Sequence, residues 1–174
     1  MSPDLPRRTV AVALGANLGD PRATLTQARH ALVAALVGLG TGPLRFSRLF
    51  ETDPVGPPQR RYLNAACVFG APPSLDAGTL LAVLQSIERQ HGRIRCVRFG
   101  PRTLDLDLLV VGGTLREDPA LTLPHPRMAD RPFVLQPLLD VAADLHVVGR
   151  GTVRVLAWRA GRAGVWPVTS DSVW

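Results

Sequence analysis

Asp105 and Asp107 stand two residues apart in the stretch PRTLDLDLLVVGG, residues 101–113, among Leu104, Leu106, Leu108 and Leu109. Side chains alternate between the two faces of a strand, so the leucines at 104, 106 and 108 point one way and both carboxylates the other. Such a strand buries one face and presents paired acids on the second. The acids lie about 6–7 Å apart at the backbone. If both are ionised at an effective dielectric near 20, their repulsion is on the order of 2–3 kcal/mol. A divalent cation or a run of arginines would offset it. An isolated pair could equally be an exposed strand face whose charges discourage edge pairing, so the neighbours decide.

Those neighbours are basic. Arg89, Arg93, Arg95, Arg98 and Arg102 fall within fourteen residues just before the pair, and Gly92, Gly100 and Pro101 shape the connection. Carboxylates hold Mg²⁺, and guanidinium forks hold phosphate. Together they suggest phosphoryl transfer from a nucleoside triphosphate, with two metal ions about 4 Å apart clamping the attacking and leaving oxygens. No Walker A pattern occurs, so the phosphate-binding device is a different one. Tyr62 and Asn64 in YLNAA share one strand face, and Gln85 and Glu88 share a helix face that would by default be solvated. His125 sits between two prolines, whereas His30, His91 and His146 read as surface or packing residues.

The elements that must position these groups follow from periodicity. Residues 9–14, TVAVAL, read as a buried strand, followed by the turn GANLGD and a helix from 21 to about 39. Asp20 caps it, Pro21 suits its first position, and Leu25, Ala28, Leu32 and Leu36 form its apolar stripe. A strand around LRFSRLFET leads through the loop DPVGPPQRR to a second strand, YLNAACVFG. The next helix lies within residues 72–92, with Ser74 as its expected cap, Leu80, Leu84 and Ile87 on its stripe and Gly92 at its stop. The aspartate strand completes a βαββαβ order, the split arrangement of a ferredoxin-like α+β domain. After it come a loop, a short helix and, from residue 147, strand-like fragments without an assigned place.

A chain of 174 residues is expected to form one domain, burying about 70 % of its unfolded surface without help from disulfide or metal. Cys67 and Cys96 make neither a ligand cluster nor a disulfide framework. With no apolar run near 18 residues and no leader-like N-terminus, the expectation is a soluble, cytoplasmic protein. The net charge of +6 and pI near 11.1 come from arginine alone, because the chain contains no lysine. That excess suits nucleic acid, a membrane surface or a polyanionic small molecule.

Five separated motifs then agree in order and spacing over residues 9–145: LGANLGD, ETDPVGP with YLNAA, IERQHGRIR, GPRTLDLDLL and LTLPHPRMADRPFVLQPL. They resemble the 6-hydroxymethyl-7,8-dihydropterin pyrophosphokinases of folate biosynthesis. That resemblance implies a ferredoxin-like α-β-α sandwich with a mainly antiparallel sheet, and transfer of diphosphate from ATP to the pterin hydroxymethyl group with release of AMP. It implies two Mg²⁺ ions on Asp105 and Asp107, and catalytic roles for Arg93, Arg95 and Arg102. Phosphate binding would fall to Arg93, Arg102, His125 and Arg131, with Gln85 and Glu88 near the nucleotide.

Pterin is a flat heterocycle edged with donors and acceptors, which calls for aromatic stacking and an amide. Tyr62 and Phe133 match the stacking pair, Asn64 the edge reader, and Thr52 and Val55 the pocket backbone. Phe99, Pro126 and Pro132 depart from residues common in the family. The whole of 1–174 is read as one pyrophosphokinase domain, a monomer acting on small molecules, with 150–174 a C-terminal extension. Two alternatives come from other classes. One is an RNA-binding ferredoxin-like domain, suited to the arginine excess but lacking an RNP-type aromatic strand. The other is a metal-dependent nuclease, which leaves YLN and TDPVG unexplained.

Overall fold

The computed structural model describes residues 7–92, 102–169 and 174; Arg93, Arg95 and Phe99 therefore lie outside the described residues. In chain order the elements begin with β1 (Arg8–Ala16), α1 (Pro21–Val37), β2 (Arg45–Phe46), β3 (Phe50–Thr52) and β4 (Tyr62–Ala71). There follow α2 (Ala77–Gln90), β5 (Asp105–Val111), and the short pair β6 (Arg116–Glu117) and β7 (Thr122–Leu123). A 3₁₀ turn (Met128–Asp130) leads into α3 (Pro132–Ala142). The rest is β8 (His146–Val147), β9 (Gly151–Thr152), α4 (Val153–Ala160) and β10 (Val165–Pro167).

The main sheet runs β10-β3-β4-β1-β5 with every pairing antiparallel, and β2 adds to β4. β1 and β3 thus run the same way with β4 between them, which is the split βαβ order expected of a ferredoxin-like domain. α1 and α2 cover one face over Val10, Val12, Leu14, Cys67 and Leu106; α3 and α4 cover the other over Ala11, Ala66, Val68 and Leu109. β1 is buried on both faces, so its alternate residues belong to different cores, and burial also pushes the Cys67 thiol pKa up.

The first helix follows its predicted chemistry. The Asp20 carboxylate accepts from Ala23 N at 3.0 Å, and the buried residues of α1 are Leu25, Ala28, Leu32 and Leu36. α2 corrects one detail: its cap is Asp76, which accepts from Gly78 N at 2.7 Å and Thr79 N at 3.1 Å, not Ser74. Leu75 closes a turn back to Pro72 O, and the helix begins only after it. The strand expected around 44–52 is split into β2 and β3 because Ser47 Oγ takes the Ala66 N–H at 2.9 Å, replacing one backbone rung with a side chain.

β5 also departs from strict alternation. The register steps from Val12↔Leu108 to Ala11↔Val110, so Leu109 is the extra residue of a bulge. Leu104, Leu106, Leu108 and then Val111 face α1 and α2, as read up to 108. The bulge leaves the Leu109 carbonyl to accept from His125 N at 2.8 Å, which fastens the PHPR segment beside the aspartates.

The tail holds a helix where strand-like fragments were expected. Thr152 caps α4, and Val153, Leu156 and Ala157 meet the core at helical spacing, which overrides the β-branched composition. Further on, β10 extends the sheet beyond β3. Trp174, only 8 % exposed, donates from Nε1 to Ser47 O at 2.8 Å and meets Phe46 edge-to-face at 5.7 Å. Removing that ring deletes one large core side chain and orphans a carbonyl. Trp174→Ala should lower unfolding free energy by about 3 kcal/mol, read as a shifted urea midpoint at an unchanged slope.

Candidate active site

A cavity of about 630 Å³ opens on the α3 face at one end of the sheet. Its floor is set by register. Asn64 on β4 is opposite Gly15 on β1, which is opposite Asp105 on β5; one step along, Ala13 is opposite Asp107. Opposed residues share a face, so the row Asn64–Gly15–Asp105 crosses the floor. The small residues at 13 and 15 leave open the space that the acids and the amide surround. At Gly15 a Cβ would lie 2.7 Å from Asn64 Oδ1, so any larger residue would displace that amide.

At the β5 end the charges are matched. Asp105 pairs with the Arg102 guanidinium. Asp107 Oδ2 lies 3.8 Å from Arg131 Nη1 and 3.9 Å from His125 Nε2. Burial, with Arg131 and Arg127 nearby, pushes the His125 pKa down to about 4, so the ring is neutral at pH 7 and its contact with Asp107 is not an ion pair. Nδ1 accepts from Arg127 N at 3.3 Å, which leaves the proton on Nε2, facing the acids. Burial and Arg127 also draw Arg131 down from its usual value.

Asn17 fastens the segment that carries Arg102. It is 1 % exposed, its Oδ1 accepts from Arg102 N at 2.9 Å, and its Nδ2 donates to Gln59 Oε1 at 3.1 Å and Arg60 O at 3.2 Å. One side chain therefore ties the approach to the aspartate strand to the 53–61 loop.

The opposite end suits a flat ring. Tyr62 and Asn64 share the floor, and Phe133 lines the wall at the start of α3, with the Arg131 guanidinium 5.4 Å from its ring. Asn64 Nδ2 donates to Thr52 Oγ1 at 2.7 Å, and Tyr62 donates to Gln59 Oε1 at 3.2 Å while burial pushes its phenol pKa up. Thr52 is buried at 2 % exposed, whereas Val55, 61 % exposed, is on the rim.

The structure thus brings together Asp105, Asp107, Arg102, Arg131, Thr52, Val55, Tyr62, Asn64 and Phe133 around one cavity, with His125 against Asp107. Gln85 and Glu88 do not line it. Glu88 is not on a solvated face: it is 3 % exposed, and its Oε1 accepts from Leu106 N, between the two aspartates, at 2.7 Å. Sequence reasoning missed Asn17, whose signal was a polar residue directly after a buried strand, and Arg127, which stands inside the quoted PHPRMADR. It also missed Ala163, Gly164 and Val165, which line the cavity from the far end of the chain without any local motif.

Fold and site together define a ferredoxin-like α-β-α domain whose cavity joins an acid–arginine end to an aromatic–amide end. The family model described as 7,8-dihydro-6-hydroxymethylpterin-pyrophosphokinase (HPPK) matches residues 11–143, and the chain belongs to that family. The 2-amino-4-hydroxy-6-hydroxymethyldihydropteridine pyrophosphokinase of Pseudomonas aeruginosa is 43 % identical over 150 residues, covering 85 % of this chain and 90 % of that one. Its namesake from Synechocystis is 38 % identical over 158 residues, covering 90 % and 78 %. Among solved structures, Plasmodium falciparum HPPK-DHPS with pteroate is similar in fold, at a TM-score of 0.63 and 15 % identity. That match covers 87 % of this chain but 42 % of the longer one.

Two outcomes follow from the geometry. Glu88→Ala leaves the Leu106 N–H without its carboxylate in a buried setting and should cost about 2 kcal/mol; Glu88→Gln, which keeps an acceptor, should cost less in the same chemical melt. His125 protonates near 6.5 when unfolded but near 4 when folded, so the unfolded state binds more protons between those values. Stability should therefore fall as pH drops from 6.5 to 4, by on the order of 2 kcal/mol allowing for partial exposure. His125→Gln should flatten that part of the stability–pH curve.

Proposed function

We propose that this chain transfers the β,γ-diphosphate of ATP to the hydroxymethyl group of 6-hydroxymethyl-7,8-dihydropterin, releasing AMP, as one pyrophosphokinase domain, a cytoplasmic monomer. Membership of the HPPK family supports the reaction. The observation that carries the reading is the continuity of one cavity from Asp105 and Asp107 to Tyr62, Asn64 and Phe133.

In this reading the hydroxymethyl oxygen attacks the β-phosphorus and gives up its proton to solvent, the bond from that phosphorus to the α,β-bridging oxygen breaks, and AMP leaves with that oxygen. Tyr62 and Phe133 hold the pterin ring between them. Thr52 orients the Asn64 amide against its edge. Arg131 and the neutral His125, donating from Nε2, bind phosphate oxygens; Arg93 and Arg95, outside the described residues, are assigned to the same task by the family resemblance, whereas Glu88 serves the site through the Leu106 N–H.

Two Mg²⁺ ions fit Asp105 and Asp107. The donors are hard carboxylates flanked by Ala13 and Gly15, and among the described residues no group of three or more His, Cys, Asp or Glu surrounds a common point. Waters and phosphate oxygens would supply further ligands, as Mg²⁺ prefers. When bound, Mg²⁺ supplies charge neutralisation and Lewis acidity at the phosphoryl oxygens. Arg102, paired with Asp105 in this structure, would turn to phosphate where metal holds that carboxylate.

The RNA-binding reading finds no support. Single-strand readers stack bases on an open sheet, whereas here α3 and α4 cover the second face, and the family and relatives matched are pyrophosphokinases.

Incubation with ATP, Mg²⁺ and 6-hydroxymethyl-7,8-dihydropterin should yield AMP without ADP; ADP, or no turnover, would overturn the assignment. Asp107→Ala should lower kcat by more than about 100-fold with the circular-dichroism spectrum and unfolding midpoint little changed. An active Asp107→Ala enzyme would remove the carboxylate from the chemistry.

A further inference from the structure

The wall of the cavity opposite the aspartates comes from a part of the chain beyond the stretch that matches the family, residues 11–143. We infer that residues 161–167, the turn before β10 and the strand itself, are a positioning element for the heterocycle end of the cavity. The inference rests on the pterin reading given above.

Six contacts carry it. Val165 is opposite Thr52 in the sheet, and Asp53 N donates to Gly164 O at 2.9 Å, so β10 sets the course of the chain where it leaves β3. Gly164 has φ of 69°, and a Cβ there would lie 3.1 Å from Asp53 Oδ2; glycine alone allows this approach without strain. Asp53 Oδ1 accepts from Arg61 Nε at 3.0 Å, and the Arg61 guanidinium lies 4.5 Å from the centre of the Trp166 ring. From the other side, Gln136 on α3 donates to Gly161 O at 2.9 Å, which fixes the turn to the helix that carries Phe133.

The consequence reaches the ligand pocket through one short path. Gly164 holds Asp53, Asp53 adjoins Thr52, and Thr52 Oγ1 orients the Asn64 amide. Ala163, Gly164 and Val165 themselves close the wall. Displacing this segment should disturb the end of the cavity that reads a ring edge and leave the acid–arginine end, on the opposite edge of the sheet, intact. β10 is thus a determinant of which ring is accepted, separate from the phosphate machinery.

Calorimetry of the full chain with 6-hydroxymethyl-7,8-dihydropterin, and separately with ATP and Mg²⁺, tests this. Wild type should bind both; if it binds the pterin neither alone nor in the presence of a non-hydrolysable ATP analogue with Mg²⁺, the proposed function itself fails and this inference with it. Gly164→Ala should weaken the pterin by roughly tenfold or more, as an ångström-scale misplacement does, while its ATP affinity stays within about twofold of wild type. Trp166→Ala leaves the glycine in place and removes only the ring under Arg61, so it serves if Gly164→Ala is poorly folded. It should weaken the pterin by roughly threefold, again without changing ATP binding. Wild-type pterin affinity in a folded variant, or equal loss of both ligands, would overturn the positioning role.

Discussion

Two carboxylates on one strand face repel each other, and the architecture around β5 is organised by the need to oppose them with positive charge in a partly desolvated place. Arg102 answers Asp105, and Arg131 approaches Asp107 with the neutral His125 beside it. Arg102 and His125 are each fastened through the backbone as well. Asn17 holds the Arg102 backbone, and the carbonyl freed by the Leu109 bulge holds the His125 backbone. On the far side Glu88 takes the amide between the two acids. The strand is therefore pinned from three directions at the residues that carry its charge.

The same sheet supplies the second half of the cavity without a separate domain. Antiparallel register converts distance along the sequence into rows across the floor, so Asn64, Gly15 and Asp105 lie side by side although 15 and 105 are far apart in the chain. Ala13 and Gly15 keep the floor clear, and α3 begins where the cavity opens and delivers Arg131 and Phe133 together. A triphosphate and a flat ring can then meet over two or three strands, about 5–10 Å apart. This spacing suits direct transfer between them.

Much of this was legible in the chain. Alternation around Asp105 and Asp107, the stripe of α1 and the Asp20 cap are local properties, decided by side-chain direction and by hydrogen bonds within one turn. Tyr62 and Asn64 shared a face for the same reason. Glu88 was misread because helical spacing says which residues share a face, not what packs on it; β5 covers that face and takes the carboxylate. Ser74 lost the cap to Asp76 because the turn at Leu75 delayed the helix, and α4 formed where composition suggested strands because core contacts outweighed propensity.

By itself, the order of residues determined the βαββαβ frame, the paired acids, the arginine excess beside them and the motifs of the pyrophosphokinase family, since each depends on spacing within one element or on side-chain chemistry. Only the tertiary structure decided which charges meet, that Glu88 is buried and that β10 walls the cavity. Apart from Arg102 with Asp105, these are contacts between segments 18 or more residues apart, and nothing in a local pattern encodes the register or the packing that brings them together.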